Sequence, residues 1–190
     1  IASPTMKDFK QVRDFINDLY LLSMKINIEE FPLASEACLS AKELIKQVEQ
    51  RLFKLEQVSH HFPQLDIFLN ETFKPLWNET KKQCYFEWPV ISRENDLPKN
   101  LQTLSPSDFG FHNALLRKKS EVIFLDFEYF GWDDPVKLIA DFIWHPAMTL
   151  SDDHKKRWLE NSFKIFKNTE EIQQRFHAAW PLYGMRWAMI

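Results

Sequence analysis

Three glycines, Gly110, Gly131 and Gly184, are all that this chain of 190 residues contains. A loop that cradles phosphate with its backbone amides needs several glycines close together, so no such loop can form here. The chain carries seventeen Phe and seven Trp, which describes a dense, mostly helical interior rather than a loop-rich scaffold. At 45% hydrophobic content, a chain of this length is expected to form one globular domain, residues 1–190, with a sizeable core.

Charge narrows the partners. A formal charge of −3 and a pI near 6.1 give no electrostatic footprint for nucleic acid or for an anionic membrane. No signal peptide and no apolar run long enough to span a bilayer is present. Cys38 and Cys84 lie far apart without metal-ligand spacing, as expected of buried thiols in a reducing, cytoplasmic setting. The chain opens on Ile1 and stops within the apolar run Trp187-Ala188-Met189-Ile190, which suggests a piece of a longer protein. Oligomeric state is not readable from these features.

Periodicity then places the elements. Phe9, Val12, Ile16, Leu19 and Tyr20 share one face of a helix over residues 6–24. Ser40-Ala41-Lys42-Glu43 has the capping-box form, and Leu44, Ile45, Val48, Leu52 and Leu55 carry the helix to about residue 58. A third helical stretch, roughly 64–82, is expected to kink or restart at Pro75. The region between residues 89 and 106 holds three prolines and reads as an irregular connection. Residues 114–117 and 121–127 read as two strands of a hairpin, joined at Lys118-Lys119-Ser120. Helical pattern resumes at Ser151, and a last segment over 169–190 is expected to break at Trp180-Pro181. The class is therefore α+β, helix-dominated, with one small central hairpin.

Around that hairpin sit three polar side chains with a chemical pattern. Asp108 lies in a short loop, Asn113 follows it by five positions, and Asp126 ends the apolar second strand. A turn centred on Lys119 sets Asn113 nearly opposite Leu125 and beside Asp126, so the two side chains meet at the open end of the ribbon. Both faces of the second strand are apolar, which predicts a buried strand. A carboxylate there would be costly unless paired or metal-bound, and Mg²⁺ accepts two protein oxygens together with phosphate and water. Taken singly, each of the three is an ordinary turn or capping residue.

The stretch 105–146 resembles the aminoglycoside phosphotransferase and choline kinase-like family, which shares the protein-kinase fold. Pro106-Ser107-Asp108 and Asn113 stand for its catalytic loop, and Leu125-Asp126-Phe127-Glu128 with Gly131-Trp132-Asp133-Asp134-Pro135 for its metal-binding segment. The resemblance implies a C-terminal lobe that transfers phosphate from ATP to a small-molecule hydroxyl. Asp108 would be the catalytic base, Asn113 and Asp126 the Mg²⁺ ligands, and Asp141 a structural brace for the loop. Acidic Glu128, Asp133 and Asp134 would favour a cationic acceptor. Two departures stand out: Pro106 replaces the family's histidine, and His112, read as solvent-facing or substrate-contacting, fills a place where glycine is usual. The N-terminal nucleotide lobe is absent from this chain, because residues 1–100 read as helices and no glycine-rich loop exists.

Competing constellations carry less. His60-His61 with Cys38 or Cys84 lacks zinc-ligand spacing. Asp126, Glu128, Asp133 and Asp134 could form a hydrolase-type metal cluster, but that leaves the Asp108–Asn113 loop without a role. A non-catalytic kinase-like binding or scaffolding module is the alternative to the phosphotransferase.

Overall fold

The computed structural model describes residues 4–117, 121–167 and 169–190. Among these, helices dominate and two small antiparallel sheets complete an α+β architecture. No described helix is long and apolar enough to cross a membrane. The helices are α1 (Met6–Ser23), α2 (Ala41–Ser59), α3 (Pro63–Ile67), α4 (Lys74–Glu87), α5 (Pro135–Trp144), α6 (Asp152–Ile165) and α7 (Glu170–Trp187).

The amphipathic helices start where local chemistry says they should. Ser40 caps α2 by accepting from the Glu43 amide at 3.2 Å, and Ser151 caps α6 by accepting from the His154 amide at 3.3 Å. At α1 the reciprocal box belongs to Thr5 and Asp8, whose carboxylate accepts from the Thr5 amide at 2.7 Å. Phe9, Val12 and Ile16 are buried on α1, and Leu44, Val48 and Leu52 on α2, as their spacing predicts.

The remaining helical expectations fare unevenly. The stretch expected over 64–82 is helical throughout and restarts at Lys74-Pro75, as α3, a π-helical segment Phe68–Phe73 and α4, which runs on to Glu87. Pro75 sits in the first turn of α4, where its missing N–H has no intrahelical acceptor to lose. Helix α7 does not break at Trp180-Pro181 but continues to Trp187. Ala178, Ala179, Leu182 and Tyr183 are completely buried around Pro181, and α7 packs on α2, α4 and α5, so tertiary burial outweighs a local cost of about 3 kcal/mol. Finally, α5 is a helix that none of these expectations includes. Nine of its residues, from Pro135 to Ile143, are buried, and its polar stripe, Lys137 and Asp141 one turn apart, faces other charges inside the fold rather than solvent.

The strands also differ from expectation. Besides the hairpin there is a second two-stranded sheet, β1 (Thr103–Ser105) with β4 (Gly131–Asp133), pairing Thr103 with Asp133 and Ser105 with Gly131. Leu33 bridges to Trp132 beside it, and a Cβ on Gly131 would overlap the Pro32 carbonyl. This close approach requires glycine. The hairpin is β2 (Ala114–Arg117) and β3 (Glu121–Phe124), with Ala114 facing Phe124 and Arg117 facing Glu121. Its turn, Lys118-Lys119-Ser120, lies outside the described residues. β3 ends at Phe124, not Phe127, and the ribbon is not buried on both faces. Val122 and Phe124 turn inward, while Leu115, Leu116, Leu125 and Phe127 remain exposed.

The core gathers around α5. Phe142 stacks on Trp158 at 4.0 Å, and the Trp158 indole donates to the Ile139 carbonyl at 3.0 Å. Phe9, Phe109 and Phe111 close on the same Phe142 ring. Phe109 and Phe111 flank Gly110 in the loop that bears Asp108, so the core itself anchors that loop.

Candidate functional site

The loop between β1 and β2 is held in an unusual shape. Ser107 has φ of 65°, the left-handed region that a residue with a Cβ enters at a cost of roughly 1–2 kcal/mol. Three polar contacts compensate. The Ser107 amide donates to Ser105 Oγ at 3.1 Å, its hydroxyl donates to the Ser35 carbonyl at 3.0 Å, and Lys137 Nζ donates to that hydroxyl at 3.2 Å. The turn so fixed presents Asp108, half-buried, to its surroundings.

Asp108 is enclosed by hydrogen-bond donors. Asn113 Nδ2 donates to its Oδ2 and to its backbone carbonyl, both at 3.0 Å. His112 Nε2 lies 2.9 Å from Oδ1, and His145 Nε2 lies 3.5 Å from the same oxygen. The His112 bond holds the carboxyl below the ordinary carboxylate range, with Asn113 and His145 adding to it against the opposing effect of burial. The two imidazoles stack face to face, centroids 3.8 Å apart and planes within 3°. Burial, and His112 beside it, lower the pKa of His145. His112 is therefore not solvent-facing; its side chain is only 13% exposed. Gly110 makes room for it, since a Cβ there would lie 2.7 Å from His112 Nδ1 and 2.8 Å from Met148 Sδ.

Asp126 is linked to this loop only through the backbone of its neighbour. The Leu125 amide donates to the Asn113 carbonyl at 2.9 Å, extending the ribbon by one pair and setting Asp126 next to it. Asp126 itself adopts φ of 64° and is exposed. Glu128 raises the pKa of the neighbouring Tyr129, and the charges of Asp126 and Asp108 add to that rise, so these acids surround one phenol. The strand-burial argument for a cation at Asp126 does not hold, because an exposed carboxylate keeps its hydration.

The acids beyond Asp126 have other work. Asp134 caps α5 by accepting from the Val136 amide at 2.8 Å, and Arg175 forks onto it at 2.9 and 3.1 Å. Asp133 accepts from the Cys38 and Asp134 amides at 2.9 and 2.8 Å. Lys137 lies 3.2 Å from Asp133 and 3.2 Å from Asp141. Asp141 also receives Arg186 at 3.3 Å and the Trp187 indole at 2.6 Å. Asp133 and Asp134 are thus neutralised inside the fold and cannot draw a cationic acceptor. Nor do they join Asp126 and Glu128 in a hydrolase-type cluster.

A cavity of about 310 Å³ opens beside the loop, lined by Ser107, Asp108, Tyr129, Arg51, Arg186 and Trp187 among others. Glu36 bonds Arg51 and Arg186 there, both at 2.7 Å. A second cavity, of about 440 Å³ near Tyr20 and Arg175, includes none of the expected site residues. His145, Lys137 and Arg186 were invisible to spacing arguments, since each lies far along the chain from Asp108. The only local signal was Gly110, two residues before the ring it accommodates.

Asp108, His112 and His145 place three ligand atoms within 4.8 Å of one another, which is a metal-like grouping. Their nitrogen donors suit a transition metal better than Mg²⁺. Asn113 and Asp126 supply oxygen donors instead, and the engagement of Asn113 Nδ2 with Asp108 leaves its amide oxygen for a cation. No protein-family model matches the chain, and neither a curated protein nor a solved structure matches it.

Proposed function

We propose that this chain is the catalytic and substrate-binding lobe of an ATP-dependent phosphotransferase, similar to the aminoglycoside phosphotransferase and choline kinase-like enzymes and with their kinase-like C-lobe. The observation that carries the reading is the fixed carboxylate of Asp108 at the wall of a polar cavity, bonded to Asn113, whose carbonyl pairs with the amide of Leu125, the residue before Asp126. Asp108 would accept a hydrogen bond from the acceptor hydroxyl and draw off its proton as phosphate transfers. Asn113 and Asp126 are oxygen ligands of the kind Mg²⁺ takes, and the bound ion would neutralise phosphate charge. Lys137 and Arg186 keep the cavity wall rigid through Asp141. The phosphate-covering part of such an enzyme must come from polypeptide beyond these 190 residues, since three scattered glycines cannot build it.

The test is Mg²⁺-dependent phosphate transfer from ATP to a panel of small hydroxyl compounds, using the intact gene product. Turnover that falls by at least about 10³-fold in Asp108→Ala supports the reading. Turnover that persists in that variant, or none with any acceptor, rejects it. The second reading, a non-catalytic kinase-like binding module, draws on the buried Pro106 in the place of a polar side chain. Absence of Mg²⁺-nucleotide binding in calorimetry would favour it.

A further inference from the structure

Ser107 stands where a glycine would fit more easily. Its φ of 65° is a conformation that glycine adopts without steric cost and that a residue with a Cβ does not. A strained residue beside a site calls for a reason in its side chain. Here that reason is the hydroxyl. It donates to the Ser35 carbonyl at 3.0 Å and accepts from Lys137 Nζ at 3.2 Å. Its single proton is therefore already engaged.

Both anchors are themselves fixed, and by the same buried carboxylate. Asp133 is fully buried, accepts from the Cys38 amide at 2.9 Å and lies 3.2 Å from Lys137 Nζ. The segment that bears Ser35 is held again by the Ser35 amide on the Tyr129 carbonyl at 3.0 Å and the Ala34 amide on the Trp132 carbonyl at 2.9 Å. Ser35 lies 72 positions from Ser107 along the chain and Lys137 lies 30 from it. One hydroxyl thus joins two distant, rigid segments at the residue next to Asp108.

This hydroxyl is not set up as a nucleophile. Burial opposes the charge of Lys137, but Asp133 and Asp141 outweigh it and raise its pKa, so Lys137 stays protonated and cannot serve as a base. What the arrangement supplies is position.

We propose that Ser107 is a positioning residue for Asp108: its hydroxyl, gripped between the Ser35 carbonyl and Lys137, sets the direction from which the Asp108 carboxylate meets the acceptor hydroxyl. Ser35, Ser107, Asp108 and Lys137 line one cavity, so the grip and the carboxylate border the same space. Without the hydroxyl, the turn keeps the bond from the Ser107 amide to Ser105 Oγ but loses both ties to segments outside the loop. A displacement of about 1 Å at a reacting group is enough to cost roughly 10²-fold in rate.

This inference rests on the phosphotransferase reading for its kinetic consequence. The test compares Ser107→Gly with Ser107→Ala in the intact gene product. Both delete the hydroxyl, and only glycine relieves the backbone strain. Positioning predicts that kcat falls about tenfold or more in both variants. The nucleotide KM should stay unchanged, because the Asn113–Leu125 pair lies outside the grip. Thermal unfolding of Ser107→Gly should come no lower than that of Ser107→Ala, so the loss of turnover does not follow stability. A glycine variant as active as the wild type would show that backbone shape alone matters and would overturn the proposal, as would an alanine variant within twofold of the wild type. A second arm needs no turnover. The Asn113 side-chain amide donates to Asp108 Oδ2, and ¹⁵N NMR reads it, assigned by its loss in Asn113→Ala. Its resonance should shift in both Ser107 variants, and an unshifted resonance in either rejects the positioning role. If the wild type transfers no phosphate at all, the phosphotransferase reading fails while the amide spectrum still decides whether the hydroxyl places the carboxylate.

Discussion

Lys137 Nζ lies 3.2 Å from Ser107 Oγ, so a side chain from buried helix α5 grips the residue that precedes Asp108. Lys137 is 1% exposed and sits between Asp133 and Asp141, one turn away on either side. Burial works against its charge, but the two carboxylates outweigh it and raise its pKa, so it stays protonated. The loop is thus tied to the most deeply packed helix of the fold by a charge that cannot leave.

Lys137→Met is expected to destabilise the protein by about 3–5 kcal/mol, because Asp133 and Asp141 lose the cation that compensates their burial. Denaturant unfolding of the variant measures it. A loss under about 1 kcal/mol would show that the ladder contributes little.

Gly110→Ala should move the His112 ring. The new methyl would sit 2.7 Å from His112 Nδ1 and 2.8 Å from Met148 Sδ, well inside contact distance. Overpacking of this size costs about 1–3 kcal/mol. Thermal unfolding should show the loss, and the His112 resonances should shift. Unchanged His112 signals would mean that the loop absorbs the methyl elsewhere.

Acidification should weaken the fold in two separate windows. His145 has its pKa lowered from 6.5 by burial and His112, so the unfolded chain binds the proton first. Its contribution is complete above pH 6.5 and declines as pH falls from there toward the folded value. Asp108, lowered from 3.8, keeps its contribution above that pH and loses it as pH falls further. Stability followed from pH 7.5 to pH 3 should lose the upper step in His145→Gln and keep it in the wild type. An identical upper step in both assigns it to another group.

Neither thiol should react in the native protein. Burial pushes Cys38 up to about 12 and Cys84 up to about 11, and both side chains are at most 3% exposed. A disulfide reagent at pH 8 is expected to titrate both only after unfolding. Fast labelling of Cys38 in the native state would contradict the packing of the α2–Asp133 region, where its thiol meets the Gln47 amide oxygen at 3.1 Å.

Local sequence chemistry settled a good part of this protein. Ser40 and Ser151 mark helix starts by what their side chains can accept, and Phe9, Val12 and Ile16 mark a buried face by their spacing. The hairpin register was legible too, since centring a turn on Lys119 pairs Ala114 with Phe124 and Asn113 with Leu125. Tertiary structure alone decided the rest. The polar stripe of α5, Lys137 and Asp141, is turned inward onto buried charges, and α7 runs through Pro181 because its neighbours hold it. Asp133 and Asp134 look like site acids in sequence, yet Lys137 and Arg175 neutralise them. His145 stands 37 positions from Asp108 by number and within 3.5 Å of it in space. Caps and periodicities act between residues a turn apart, where the backbone fixes the geometry. Charge pairing and burial depend on which distant segments meet, and only the packed fold specifies that.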